Sequence, residues 1–299
     1  MSNVTEKLHS KAKELDTRSP CDIASLIAQN QIAAAQVTAG AVSQICTGSE
    51  LMANSIEQGG SLIYAAAGSS ALMALADAME LGGSFGIGSE QIQLLMAGGI
   101  PRKAEMPGDT EDETGTLSAD LAAIGAKDTL IAISASGRTP YTLEAANIAR
   151  RAGAKVIAIA NNDKTPLLEI ADVAIHLPTE AEVIAGSTRM GAATAQKIAL
   201  NMLSTVMAVH LGHVYDGMMV NLKADNAKLR HRARMMVRSI TSVSEEAAEE
   251  ALVLAEGNVK VASLIAAGTL SKDLAHELIL EEKGLLRNAL GRVKSSLNT

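Results

Sequence analysis

Four short apolar runs constrain this chain more than anything else in it: "SLIYAAAG" (61–68), "TLIAIS" (129–134), "KVIAIA" (155–160) and "VAIHLP" (173–178). None alternates polar with apolar residues as a strand with one face in water would, and helical segments lie between them. Strands buried on both faces and separated by helices build a parallel sheet with a helical layer on each side. The predicted fold class is therefore α/β, three layers around a parallel sheet. Residues 21–59 are rich in Ala, Ile and Gln with helical periodicity and predict two more helices. A long helical pattern runs from about Ser187 to Leu211. Near Ser242 it gives way to short amphipathic segments broken at Gly257, Gly268 and Gly284, which predict a small three-helix module. The expected organisation is an N-terminal helical segment over 1–53, an α/β body over 54–240 and the helical module over 241–299.

The 299 residues are 47% hydrophobic, enough for a large core, yet no 18-residue apolar run occurs, so no membrane span is expected. The net charge is −7, and Trp, Tyr and Phe total four residues. Nucleic-acid binding calls for a basic face and aromatic stacking platforms, and neither is evident. Cys21 and Cys46 lie outside any CxxC spacing, and residues 1–20 are charged rather than apolar. A reducing compartment and a cytoplasmic location are the expectation.

The stretch "IAISASGRTPYTLEAANIARRAG" (131–153) carries the most chemical information. An apolar run ends in three hydroxyls, a glycine and an arginine, and a helix follows at once. Thr139 suits the helix N-cap, Pro140 its first position and Gly153 its stop. Free amides, the positive end of the helix dipole and Ser134, Ser136 and Thr139 together make an anion site suited to phosphate. Capping alone would require one hydroxyl. A second turn of the same design, "LIYAAAGSS" (62–70), tips the balance toward a ligand. Strand ends of a parallel sheet share one crevice, so both turns should face it. Other motifs are missing or incomplete. There is no GxxxxGK[ST], "FGIGSE" (85–90) is a fragment of a dinucleotide fingerprint, and "HEL" at His276 has Leu280 where a second histidine is needed. His210 and His213 lack a nearby carboxylate and read as core or surface histidines, so no metal site is expected.

"SASGRTPY" after a strand resembles the sugar isomerase (SIS) domain that binds phosphosugars. The order of "GGSLIYAAAGSS", "DAMELGGSFG", "LLMAGG", "ASGRTPY", "GSTRMGAATAQKIALNMLST" and "VYDGMMVNLKADNAKLRHRA" resembles, over nearly the whole chain, the N-acetylmuramic acid 6-phosphate etherases. That resemblance implies a lyase of cell-wall amino sugar recycling, which removes D-lactate from its phosphosugar substrate without metal or organic cofactor. It also implies a homodimer. By the same resemblance Glu80, in the family's "DASE" segment, is the proton donor, and Glu111, twelve residues beyond Gly99, is the base. Ser69, Ser70, Ser134, Ser136, Gly137 and Thr139 are the implied phosphate ligands, with Gly68, Arg138, Ser187 and Arg189 as further substrate contacts. Glu111 is expected to point at the sugar carbons rather than the phosphate.

The chain departs from the family pattern at four places. Ala71 and Leu72 replace a glycine and a basic residue, "ELGGS" replaces "ECPPT" at 80–84, Gly191 replaces a lysine, and Ser134 stands where alanine is common. Two other readings share the phosphate turns: a sugar-phosphate isomerase, which would not require both glutamates, and a non-catalytic sugar-phosphate sensor acting on a partner through the helical module.

Overall fold

The computed structural model describes residues 3–103, 106, 109–268 and 271–297. Its centre is a parallel five-stranded sheet in the order β2-β1-β3-β4-β5. The strands are β1 (Leu62–Ala66), β2 (Ile92–Met96), β3 (Thr129–Ile133), β4 (Lys155–Ala160) and β5 (Val173–His176). Four are the apolar runs of the sequence. β2 is not among them: "IQLLM" is an edge strand, three of its residues are half-buried, and Gln93 spends its amide on the Asp120 carbonyl at 3.0 Å. A strand that needs only partial cover has no continuous apolar signature.

Alternation along the central strands sends side chains to two different layers. Ile63, Ala65, Leu130, Ala132, Val156 and Ala158 pack with Tyr141, Ala145, Ala149 and Leu167 on one face. These belong to α5 (Pro140–Arg151) and the one-turn α6 (Pro166–Glu169), joined there by the one-turn α4 (Leu117–Asp120). The opposite face carries Tyr64, Ile131 and Ile157, none more than 2% exposed. It is covered by α2 (Val42–Glu57), α3 (Gly68–Phe85) and α7 (Gly191–His210); at Gly48 of α2 the backbone comes so close that a Cβ would meet Leu203 of α7 at 2.8 Å. Before α2 comes α1 (Pro20–Gln36), capped by Ser19, whose hydroxyl accepts from the Asp22 amide at 3.2 Å. The two predicted N-terminal helices are thus present.

The long helix starts later than its pattern suggested. Ser187 to Met190 form turns, and α7 begins at Gly191. The reason is Glu182, 2% exposed, whose carboxylate accepts from the Gly191 amide at 2.9 Å and the Ala192 amide at 2.8 Å. An internal anion fixes the helix start there.

The chain divides into two compact units, residues 1–78 with 89–206, and 79–88 with 207–299. The second unit holds α8 (Ala227–Thr241), α9 (Glu245–Leu254), α10 (Val259–Ala266), α11 (Lys272–Glu281) and α12 (Leu286–Leu297) around Val220, Met236, Val237, Leu252, Leu264 and Leu290. Four helices, not three, follow Ser242 among the described residues, because three glycine breaks leave four segments. Asn226, Ser244, Asn258 and Ser271 each cap their helix with a side-chain oxygen, so the module is built from well-terminated short helices.

Candidate active site

In a sheet of order 2-1-3-4-5 the connections reverse between β1 and β3, and ligands bind at the carboxyl ends there. Ala66 pairs with Ile133 in register, so the turns that follow the two strands begin side by side. The sequence places a small-residue, hydroxyl-bearing turn at each. After β1 the chain reaches Gly68, at φ +55, and enters α3 immediately. Ser69 is half-buried and Ser70 is 6% exposed, both in the first turn, where backbone amides have no helical partner.

The β3 turn is more elaborate. Ser134 Oγ lies 2.9 Å from Thr139 Oγ1 and 3.3 Å from Ser136 Oγ, and accepts from the Gly137 amide at 3.1 Å. Ser136 Oγ accepts from the Arg138 amide at 3.2 Å. Gly137 sits at φ +65, and any Cβ there would collide with the Thr165 side chain. The three hydroxyls are therefore gathered into one cluster at the head of α5.

Thr139 is indeed the N-cap residue, but its hydroxyl makes no capping bond. Ser19, Asn226, Ser244, Asn258 and Ser271 all cap their helices. At α5 the hydroxyls instead bond one another, and the leading amides are left to other acceptors. Capping does not explain this cluster. An anion does.

Glu111 joins the same place. It lies in a 3-10 turn, Thr110–Asp112, with its side chain exposed, and Oε1 comes within 2.9 Å of where a Cβ on Gly68 would stand. Gly68 thus serves two purposes: it permits the positive φ, and it leaves space for this carboxylate at the head of α3. Of the acidic run "DTEDE", one member is turned onto the strand ends. Glu80 sits far along α3, exposed, in the part of that helix that belongs to the second unit. Ser187 is half-buried and Arg189 exposed in the turns before α7; among the described residues neither side chain is hydrogen-bonded to the hydroxyl cluster. The amides at the head of α7 are already taken by Glu182, so that helix start offers no anion site.

Two parts of this region were not foreseen. Asp77, 3% exposed, accepts from Tyr64 Oη at 3.0 Å, Asn201 Nδ2 at 3.0 Å and Ser204 Oγ at 2.9 Å. Burial pushes its carboxyl up from the ordinary range, with the three donors and Lys197 opposing. Its signal in the sequence was an aspartate on the alanine-lined face of α3. The second is a cavity of about 630 Å³ along β2, lined by Leu94, Met96, Gly99, Glu113, Asp120 and Tyr141 among others, and by none of the clustered hydroxyls. Burial, then the nearby Asp120, pushes the Tyr141 phenol up to about 12.

Sheet order, strand-end hydroxyl turns and flanking helices define a phosphosugar-type SIS domain, and residues 105–210 match the SIS domain family. A solved structure of a putative phosphosugar isomerase involved in capsule formation, from Bacteroides fragilis, is similar in fold, with a TM-score of 0.51 at 21% identity over 65% of this chain and 94% of that one. Curated relatives narrow the class. The chain is 37% identical to N-acetylmuramic acid 6-phosphate etherases of Deinococcus radiodurans and Mycolicibacterium smegmatis, over 96% of its length and 95% and 97% of theirs. It is 36% identical to etherase 1 of Vibrio cholerae over 97% of both. The chain belongs to the N-acetylmuramic acid 6-phosphate etherase family.

Proposed function

We propose that this protein is a carbon–oxygen lyase that cleaves the D-lactyl ether of N-acetylmuramic acid 6-phosphate, giving N-acetylglucosamine 6-phosphate and D-lactate. Near-full-length identity to etherases carries the reading. The carboxylate of Glu111 beside Gly68, at the head of α3, supports it. In this reading the phosphate is gripped by Ser69, Ser70, Ser136, Gly137 and Thr139 with the free amides of α3 and α5. Ser134 braces the turn, and Gly68, Arg138, Ser187 and Arg189 contribute to the substrate's surroundings.

An ether at C3 does not leave unaided. The sugar ring opens to an aldehyde, which acidifies the C2 hydrogen. Glu111 takes that proton, the C3–O bond breaks, and the departing lactate oxygen is protonated by Glu80, the role that the family resemblance assigns it, although within one chain α3 carries Glu80 twelve residues (~18 Å) from Gly68. Water then adds to the unsaturated aldehyde at C3, with a proton returned to C2. Every step is an elimination or an addition driven by proton transfer, the kind of chemistry that positioned carboxylates catalyse. Release of D-lactate from N-acetylmuramic acid 6-phosphate by the purified protein tests the proposal. A protein that binds the sugar phosphate and releases nothing would instead be a sensor.

Assembly and location belong to the same reading. Residues 23–49 hold no charged side chain in a chain that is 20% charged, although much of α1 and α2 is exposed, including Ile32 at 61% and Val42 at 45%. A surface of that kind suits burial against a second copy, and a symmetric homodimer follows. Among the described residues no helix is long and apolar enough to cross a membrane. A cytoplasmic location is part of the proposal, in keeping with the free Cys21 and Cys46 that a reducing compartment permits.

A further inference from the structure

We propose that Asp77 is a positioning residue for the proton donor: its buried hydrogen bonds fix the rotation of α3 about its own axis, and so the direction in which Glu80 leaves the helix. The inference rests on the etherase reading, in which Glu80 protonates the lactyl oxygen.

The face that α3 turns inward is unusually smooth. Ala71, Ala74 and Ala78 are each at most 4% exposed, with Leu81 the large side chain among them. Helices are held in azimuth by side-chain ridges seated in grooves, and a stripe of methyl groups makes a shallow ridge. Hydrogen bonds are directional where methyl contacts are not. Asp77 supplies three of them from one carboxylate, one to Tyr64 on β1 and two to Asn201 and Ser204 on α7. Tyr64 is wholly buried in the middle of β1, so the helix is referenced to the sheet itself. All three partners donate, which requires Asp77 to act as an acceptor on both oxygens.

Stability alone does not account for this arrangement. A buried carboxylate held by three neutral donors, with Lys197 acting on it only through space, is costly, and an apolar residue would complete the alanine stripe at lower cost. What the carboxylate adds is a defined geometry. Glu80 follows three residues later, a neighbouring position on the helix surface. Ser69 and Ser70 open the same helix directly after β1, which holds that end, so the loss of the Asp77 bonds is felt toward Glu80.

Asp77→Asn separates these roles, measured by D-lactate release and by exchange of the C2 hydrogen with deuterated water. A misplacement near 1 Å costs about 10²-fold, so lactate release is expected to fall about 10- to 100-fold. Exchange, the work of Glu111, should fall less than about threefold. Equal losses in both, with a lowered Tm, would mean that Asp77 only supports the fold, and unchanged release would also overturn the proposal. Should Asp77→Asn fail to fold, Ser204→Ala and Tyr64→Phe each remove one donor and should show the same split on a smaller scale; their failure to do so also overturns it. A wild-type protein that releases no lactate sinks the etherase reading and the positioning role with it. An active wild type without the split sinks the positioning role alone.

Discussion

Glu111 and Gly68 form the pair on which the proposed site turns. At φ +55, with Glu111 Oε1 2.9 Å from the Cβ position, Gly68→Ala brings backbone strain of ~1–2 kcal/mol and pushes the carboxylate away. The expected outcome is a kcat lowered about 10- to 100-fold with a smaller change in KM, read from steady-state lactate release. The two glutamates should be separable by isotope. Glu80→Gln should keep exchanging the C2 hydrogen with deuterated water while lactate release falls about 10²- to 10⁴-fold, whereas Glu111→Gln should lose both. A reversed exchange pattern would swap the two roles. Gly191 also acquires a physical reading. A Cβ there would stand 3.1 Å from Glu182 Oε2 and 3.2 Å from Asn30 Oδ1, so the surroundings have closed over the missing side chain. Restoring the family's residue by Gly191→Lys should lower Tm by a few degrees rather than raise activity, an order set by a ~1 kcal/mol cost.

Among the elements, the helical module of the second unit has a pH signature of its own. Lys260 of α10 is 4% exposed and donates to the Gly284 carbonyl at 3.0 Å. Burial lowers it from 10.5 to about 8. His213 is lowered from 6.5 to about 4 by burial first and by Lys260 next. For both groups the unfolded chain holds a proton that the folded chain has lost, across 4 to 6.5 for His213 and 8 to 10.5 for Lys260. Stability therefore rises with pH through each window and is lost as pH falls through it. Each shift amounts to roughly 3 kcal/mol at most. Chemical denaturation followed across pH should show both rises, Lys260→Met should abolish the upper one and narrow the lower, and a flat profile between pH 8 and 10 would contradict the burial of Lys260. The salt bridges of this module, Arg234 to Glu245 and Glu249 at 3.2 Å and Arg238 to Glu245 at 3.4 Å, are solvent-facing and should contribute about 0–1 kcal/mol each.

For the whole molecule, the charge-free surface of residues 23–49 is the feature that a monomer leaves unexplained. Light scattering at micromolar concentration should give twice the 30.9 kDa of one chain, and Ile32→Asp should shift it toward one chain. A monomeric wild type would remove the proposed dimer while leaving the site untouched. Phosphate affinity offers a second molecular test. Ser136→Ala should weaken inorganic phosphate binding by about 0.5–1.5 kcal/mol, in keeping with the loss of one hydrogen bond. Equal affinity would return these hydroxyls to a purely structural role.

The order of elements could be read directly from the residues, because β1, β3 and β4 are buried on both faces and must be continuously apolar, while β5, at the sheet edge, is buried on alternate residues and still apolar at three of its four positions. The hydroxyl turns were legible for a related reason: small residues at a strand-to-helix junction are a local requirement of anion binding. The resemblance supplied Glu80 and Glu111, which as lone exposed glutamates have no local signature. Other features depend on contacts between distant parts of the chain and became visible only in three dimensions. β2 is a strand because β1 offers it an edge, not because "IQLLM" insists on one. Thr139 holds the N-cap position, yet its hydroxyl turns to Ser134, a choice that capping propensity does not make. Glu182 moves the start of α7 to Gly191 from nine residues away. Asp77 gathers donors from positions 13, 124 and 127 residues distant, and no window of sequence contains them together. Local chemistry was written in the sequence; which of those groups meet was decided by packing, since burial lets a carboxylate persist only where the fold brings it partners.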